Sequence, residues 1–297
     1  MEFTLGTIVL IGVTFGAALV NGAIGYGFSS LTVPIALLFL TNRLLNPALV
    51  LVELFVNLYS LLINRSSVRL IWPRAWPIIL GLLPGVALGS YLLASIHPGW
   101  TKFATYAFLL PIILAQAAGL RRPIRSEKLI GVPFGAGLGF LYAATTISGP
   151  PLAVLFNNQG LVKSDFRAAL ALIRVAESSL TAVAYLHLGL FTAESLSIAY
   201  SITPGVVIGI PLGAYLIGRV DADTFRRVCI SFDVWIVGFG LARVLGELAL
   251  ARSGYAYLPM AIAIAFDSYL LFVFFSARGR RDSTTAGAAS FGTSPRA

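Results

Sequence analysis

Five hydroxyl residues, Ser29, Ser30, Thr145, Thr146 and Ser148, stand in two short runs that also carry Gly22, Gly25, Gly27 and Gly149. The runs read Asn21-Gly22-Ala23-Ile24-Gly25-Tyr26-Gly27-Phe28-Ser29-Ser30 and Tyr142-Ala143-Ala144-Thr145-Thr146-Ile147-Ser148-Gly149-Pro150-Pro151. Hydroxyls and free backbone amides donate hydrogen bonds without carrying charge, and glycine lets backbone approach a ligand closely. Together they suit a small oxyanion that must be held and then released. Each run leads into a short apolar stretch, 31–41 and 151–161, that predicts a helix, and Pro34 and Pro150-Pro151 suit helix starts. Two helix beginnings aimed at one point would bring unpaired N–H groups and positive dipole ends together, a ready anion site.

A second set of polar residues lies inside apolar helical sequence. Glu53, Asn57, Ser60 and Asn64 fall at i, i+4, i+7 and i+11, one stripe of one helix; Arg174, Ser178, Thr181 and Tyr185 repeat the spacing at a constant shift of 121. Both stripes should face protein, since lipid penalises them. A buried arginine in a membrane costs roughly 2.5–3.5 kcal/mol on insertion scales, so Arg174 needs a partner. It could offer a bidentate fork to an oxyanion, or pair with Glu177 one turn later or with Glu53 of the other stripe. Two carboxylates within reach favour an ion pair. Asp233 and Asp267 also lie in apolar sequence, where hydrogen bonding to a neighbouring helix or carriage of a coupling proton are both open. His97 and His187 fall at helix ends, and the single Cys229 reads as structural. No Cys/His cluster and no nucleophile–base pair is visible, so neither metal, cofactor nor enzymatic catalysis is expected.

The elements that must position these residues are membrane helices. Of 297 residues 58% are hydrophobic and 11% charged, where a soluble domain carries about 25% charged residues. Spanning helices are expected near 46–64, 77–95, 102–119, 168–187, 196–217, 228–247 and 256–276. The net charge of +9 falls between these segments and not on one face, which argues against a nucleic-acid partner and for a plasma (inner) membrane protein obeying the positive-inside rule. Arg65, Arg69 and Arg74, then Arg121, Arg122, Arg125 and Lys128, then Lys163 and Arg167, then Arg219, Arg226 and Arg227, then Arg278, Arg280 and Arg281 are read as cytoplasmic loops. The opposite loops hold Arg43, Lys102 and Arg252. No basic residue precedes the first apolar run, so that run is expected to be retained as a helix, with the N-terminus outside and the C-terminus cytoplasmic.

Basic loops on both sides of 129–161 require that segment to enter and leave on one face. It is therefore read as a re-entrant hairpin, and 4–41 by internal similarity as a second one entered from the other face. The expected architecture is all-α and polytopic, with two inverted-topology repeats, each a broken hairpin plus three spans. The divisions are 1–120, 121–250, an extra C-terminal helix 251–278, and a cytoplasmic Ser/Thr/Ala/Gly tail 279–297 without regular structure. Gly81, Gly85 and Gly89 recur at a shift of 124 as Gly205, Gly209 and Gly213, which supports duplication and reads as close helix packing. Breaks in corresponding places of inverted halves point to a binding site near the membrane middle of a secondary transporter. Its candidate substrate contacts are Asn21, Gly22, Gly25, Tyr26, Gly27, Ser29, Ser30, Asn57, Thr145, Thr146, Ser148, Gly149, Pro150, Arg174 and Ser178.

At these residues the chain resembles the TauE/SafE family of sulfite exporters and related anion permeases. The likeness is carried by Gly22-Ala23-Ile24-Gly25-Tyr26-Gly27-Phe28-Ser29-Ser30-Leu31-Thr32-Val33-Pro34 and by Ser148-Gly149-Pro150-Pro151-Leu152, and it extends over about residues 5 to 250 with the duplication. Tyr26 and Ser29 make the first stretch bulkier and more polar than the family's glycine run. The resemblance implies movement of sulfite, organosulfonates or similar sulfur anions along a path formed by the two stretches; coupling to a proton and the absence of any coupling are both open. A carboxylate or other small organic anion is the alternative substrate, and a non-transporting membrane scaffold the alternative role.

Overall fold

The computed structural model describes residues 5–119, 127–157, 163–216, 221–252 and 254–291, and every regular element among them is a helix. In chain order these are α1 (Leu5–Ile24), α2 (Phe28–Ala36), α3 (Asn42–Ile63), α4 (Arg65–Ser95), α5 (Pro98–Ala117), α6 (Glu127–Thr145), α7 (Gly149–Asn157), α8 (Lys163–His187), α9 (Ala193–Leu216), α10 (Ala222–Glu247) and α11 (Leu258–Phe291). A 3₁₀ turn, Tyr255–Tyr257, precedes the last. Seven of them are long and apolar enough to cross a membrane: α1, α3, α4, α8, α9, α10 and α11. Six of these coincide with expected spans. The seventh is α1, whereas the expected span 102–119 falls on α5, which is not among the seven.

Several boundaries differ from expectation for local reasons. Only Asn64 separates α3 from α4, so Arg65, Arg69 and Arg74 ride on the first turns of a 31-residue helix and not on a loop. Pro73, Pro77 and Pro84 are carried inside it. Arg167 likewise belongs to α8, and Arg226 and Arg227 to α10. Arg121, Arg122, Arg125 and Arg219 lie outside the described residues. The short helices start two or three residues early, at Phe28 and Gly149, and end near 36 and 157. The α11 helix continues through 279–291, where an irregular tail is expected; its alanines favour helix and no proline interrupts it.

Packing follows the glycines. A Cβ at Gly81, Gly85 or Gly89 of α4 would lie 2.1, 2.1 and 2.5 Å from the carbonyl oxygens of Val132, Ala136 and Phe140 on α6. On α9, a Cβ at Gly209 would meet that of Ala18 at 2.7 Å and one at Gly213 the Leu19 carbonyl oxygen at 2.0 Å. Backbones therefore touch along α4–α6 and α1–α9, as the small-residue series predicts. In the first pair both residue series rise together, so α4 and α6 run in the same direction. Further contacts join α3 to α8 and α5 to α10. The α1–α2 unit folds back on itself, for Phe39 beyond α2 lies against Gly6 at the start of α1.

Two more contacts fix helix ends. Arg43 donates to the carbonyl oxygens of Leu93, Ala94 and Ile96, which end α4 without intrahelical partners. Buried Arg227 donates two 2.9 Å bonds to one oxygen of buried Asp267, tying α11 to α10. Asp267 thus takes the neighbouring-helix role.

Candidate functional site

The first break is a two-glycine turn. Its opening hydrogen bond runs from Gly25 N to Asn21 O at 2.7 Å, and Gly25 and Gly27 have φ of 89° and 107°. An L side chain there would cost about 1–2 kcal/mol, and Gly27 is the N-cap of α2. The second break makes the same reversal without glycine: Thr146 has φ 58°. Local hydroxyls hold it. Thr146 Oγ1 donates to Thr145 O at 2.7 Å, and Thr145 Oγ1 donates to Leu141 O while accepting Ile147 N at 3.2 Å.

The two breaks meet. A Cβ on Gly149 would stand 3.4 Å from Tyr26 Cβ and 3.8 Å from Gly27 N, so the starts of α2 and α7 adjoin inside the bundle. Carbonyls left over where α1 and α6 stop are collected from elsewhere. Arg167 donates to Ala23 O at 3.1 Å, Asn46 to Ala144 O at 2.7 Å, and Tyr185 to Ala143 O.

The polar stripes of α3 and α8 lie directly behind the tips. Glu53 is fully buried and accepts from three donors: Ser29 Oγ at 2.5 Å and Arg174 Nη2 at 2.6 Å on Oε1, and the Tyr142 hydroxyl at 2.8 Å on Oε2. Three donors, one of them a guanidinium, stabilise an ionised carboxylate. Tyr142 has one proton, already given to Glu53, so Ser178 donates to Tyr142 at 2.7 Å. On the second tip Ser148 Oγ donates to Glu177 Oε2 at 2.6 Å. Arg174 therefore pairs with Glu53 and leaves Glu177 to the tip.

The hydroxyls expected to face a ligand are engaged within the protein. Ser29 and Ser148 hold glutamates, Thr145 and Thr146 hold their own turn, and Ser30 donates to Gly27 O at 3.2 Å. Tyr26 is buried and accepts from Gln116. Beside the first break there is a cavity of about 110 Å³, walled by Asn21, Gly22 and Gly25 of the first break, Asn57, Ser60 and Asn64 of α3, Arg167 and Arg174 of α8, and Ile210 and Pro211 of α9. Asn21, Gly22, Gly25, Asn57 and Arg174 are thus brought together on its wall. Tyr26, Gly27, Ser29, Ser30, Thr145, Thr146, Ser148, Gly149, Pro150 and Ser178 do not line it.

Two side chains of this wall carry buried donors that lack partners. Asn57 Nδ2 and Arg174 Nε are buried with no hydrogen bond among the described residues, in side chains only 3% exposed. A buried donor without an acceptor costs about 1–3 kcal/mol, and both of these atoms are closed to solvent. Arg167 is the wall residue that the reading of basic loops passes over. Its spacing of seven from Arg174 puts both cations on one face of α8, a signal present in the sequence.

A family model described as sulfite exporter TauE/SafE matches residues 10–241, a stretch that includes both breaks, both polar stripes and both glycine series. A search of curated proteins found no match, and neither did a search of solved structures. Helices fit to cross a membrane, two meeting breaks and a family match over most of the chain agree: this is a multi-pass membrane protein that belongs to the TauE/SafE sulfite exporter family, a family of transporters.

Proposed function

We propose that the chain moves a small sulfur-containing anion, sulfite or an organosulfonate, by alternating access, with the cavity beside the first break as the substrate site. The observation that carries this reading is the pair Arg167 and Arg174 on one wall with the unpartnered donors Asn57 Nδ2 and Arg174 Nε. Arg174 Nε and Asn57 Nδ2 supply directed hydrogen bonds to oxyanion oxygens, and Arg167 supplies charge toward the mouth. No Asp or Glu is among the described residues that line the cavity, so no carboxylate there awaits an ammonium group. Simple sulfonates are therefore preferred over the zwitterion taurine.

The same proposal takes 1–120 and 121–250 as inverted repeats, with α11 added. Its support is the exchanged packing: α4 of the first half lies against α6, which opens the second, and α9 of the second lies against α1, which opens the first. Substrate movement then follows from rearrangement of one set of helices against the other around the joined tips. The N-terminus is placed outside and the C-terminus in the cytoplasm, which puts the cavity mouth near Asn64 and Arg167 on the cytoplasmic side. The test is sulfite flux into proteoliposomes. Asn57→Leu, at a residue that lines the cavity, should abolish it while the protein stays monodisperse, and unchanged flux would reject the site.

A further inference from the structure

Three ionisable side chains lie buried between the tips and the stripes, and their charges do not balance. Arg174 is 3% exposed, Glu53 and Glu177 not at all. Two carboxylates facing one guanidinium leave a net negative charge if both are ionised. Their environments differ sharply. Glu53 receives three hydrogen bonds and the guanidinium; Glu177 has one hydrogen-bonded contact, to Ser148, and its Oε1 has no partner among the described residues. The ionisable groups facing Glu177 are Arg174 on its own helix, Glu53 from α3 and Tyr142 from α6. Arg174 is already neutralised by Glu53, and the Tyr142 hydroxyl donates its hydrogen bond to Glu53. Nothing remains to hold a second negative charge.

We infer that Glu177 is a proton site: it is protonated in this arrangement, and loss of its proton draws Arg174 from Glu53 toward Glu177. This rests on the transport reading above and deepens it. The carboxylic acid can donate a hydrogen bond from its O–H to Ser148 Oγ, whose own hydrogen then turns away, and the carboxylate can accept one from Ser148, so the 2.6 Å contact survives in either protonation state. Deprotonation leaves a buried carboxylate whose nearest cation stands three residues back on the same helix. Arg174 cannot serve both glutamates and the cavity equally. Its Nη2 bond to Glu53 holds Ser29 of the first tip through a shared oxygen. One proton at Glu177 thus sets the position of Arg174, and with it the anion site and the first tip. The ligand is a proton, moved stoichiometrically with the anion.

Two measurements on the full-length protein decide it. Infrared difference spectra of wild type against E177Q at neutral pH should contain the C=O band of a protonated carboxyl group, lost in the variant. An absent band overturns the inference whether or not any substrate is moved. In proteoliposomes, methanesulfonate is fully ionised at all working pH values, so any pH effect belongs to the protein. Wild type should accumulate it under a pH gradient; E177Q should lose that accumulation yet keep counterflow between equal concentrations. Gradient-driven accumulation that persists in E177Q overturns the coupling. Absence of all wild-type methanesulfonate exchange counts against the sulfonate reading, and the infrared band then still judges Glu177. If E177Q does not fold, S148A keeps the acid and removes its hydroxyl neighbour; the band must shift in frequency, and an unshifted band refutes the assignment.

Discussion

Removing Arg174 measures what the centre of this bundle depends on. Its guanidinium and the Glu53 carboxylate are 3% and 1% exposed at the side chain and 2.6 Å apart. Breaking such a buried pair from one side costs about 3–5 kcal/mol, because the remaining charge loses its counterion. Arg174→Met leaves Glu53 with Ser29 and Tyr142 as donors, which places the loss toward the lower figure. At the roughly 2 °C per kcal/mol that suits a chain of this size, the melting temperature should fall by about 6 °C. Glu53→Gln should cost less, since Glu177 stands one turn along α8 and can take the freed guanidinium. The double substitution R174M/E53Q removes both charges and should recover most of the loss, as neutral replacements of buried pairs commonly do. Thermal unfolding of all four proteins in one detergent, followed by intrinsic fluorescence, gives the cycle. Additive single losses, or a loss below about 1 kcal/mol for R174M, would show that the pair does not hold the tips, contrary to the reasoning from its burial.

The glycine contacts separate packing from chain flexibility. Gly85→Ala and Gly213→Ala, whose Cβ would lie 2.1 and 2.0 Å from a neighbouring carbonyl oxygen, should abolish monodisperse protein on size exclusion; Gly12→Ala and Gly137→Ala, with nothing within 4 Å, should not. Gly27→Ala forces an L residue to φ 107° and should lower stability by about 1–2 kcal/mol, read as a fall in melting temperature. Orientation is checked in a C229A background, since Cys229 is the single cysteine: a cysteine at Ser66 should react with an impermeant maleimide only from the cytoplasmic side, and one at Gly189 only from outside. Arg167→Ala should raise the half-saturating sulfite concentration several-fold with less effect on maximal flux, because Arg167 lines the cavity and also donates to Ala23 O.

What could be read from residue order was what depends on local chemistry or a fixed period. Gly25 and Gly27 announce a reversal because few other residues make it cheaply, and the structure reverses there; Thr146, β-branched at φ 58°, makes one that residue preference does not announce. The stripes through Glu53 and Arg174 follow from the helical repeat alone, and their central residues are buried. Helix ends were less legible. Arg65, Arg69 and Arg74 suggest a loop by charge, yet basic residues at a membrane surface ride as readily on an extended helix as between helices. Least legible were the partners of the hydroxyls. Ser29 finds Glu53 and Ser148 finds Glu177 across 24 and 29 residues, and no spacing rule relates positions joined only by tertiary packing. The composition of the breaks therefore suggested donors for a ligand, where most of those hydroxyls secure the frame and leave Asn57 and Arg174 to face the cavity.

The pairing of Glu53 with Arg174 has a further consequence under the duplicated reading proposed above. The two residues are separated by 121 positions, the same shift that relates the two polar stripes. Residues at equivalent positions of two-fold-related halves that touch one another must lie at the axis. Identical halves would set like against like there, glutamate on glutamate or arginine on arginine, with two buried charges repelling each other. Divergence to opposite signs turns that conflict into the pair observed. Asymmetry at the axis then extends outward: Asn57 on one stripe answers Ser178 on the other, Asn57 lines the cavity, and Ser178 is engaged by Tyr142. On that reading a symmetric scaffold carries an asymmetric centre, with both halves contributing to the cavity wall but only the second supplying its arginines. Exchanging the pair as E53R/R174E should preserve the bond across the axis while moving the cation to α3, away from Glu177. The prediction is a folded protein with melting temperature close to wild type that no longer couples flux to a pH gradient; retention of coupling would mean that the side of the axis holding the arginine is irrelevant.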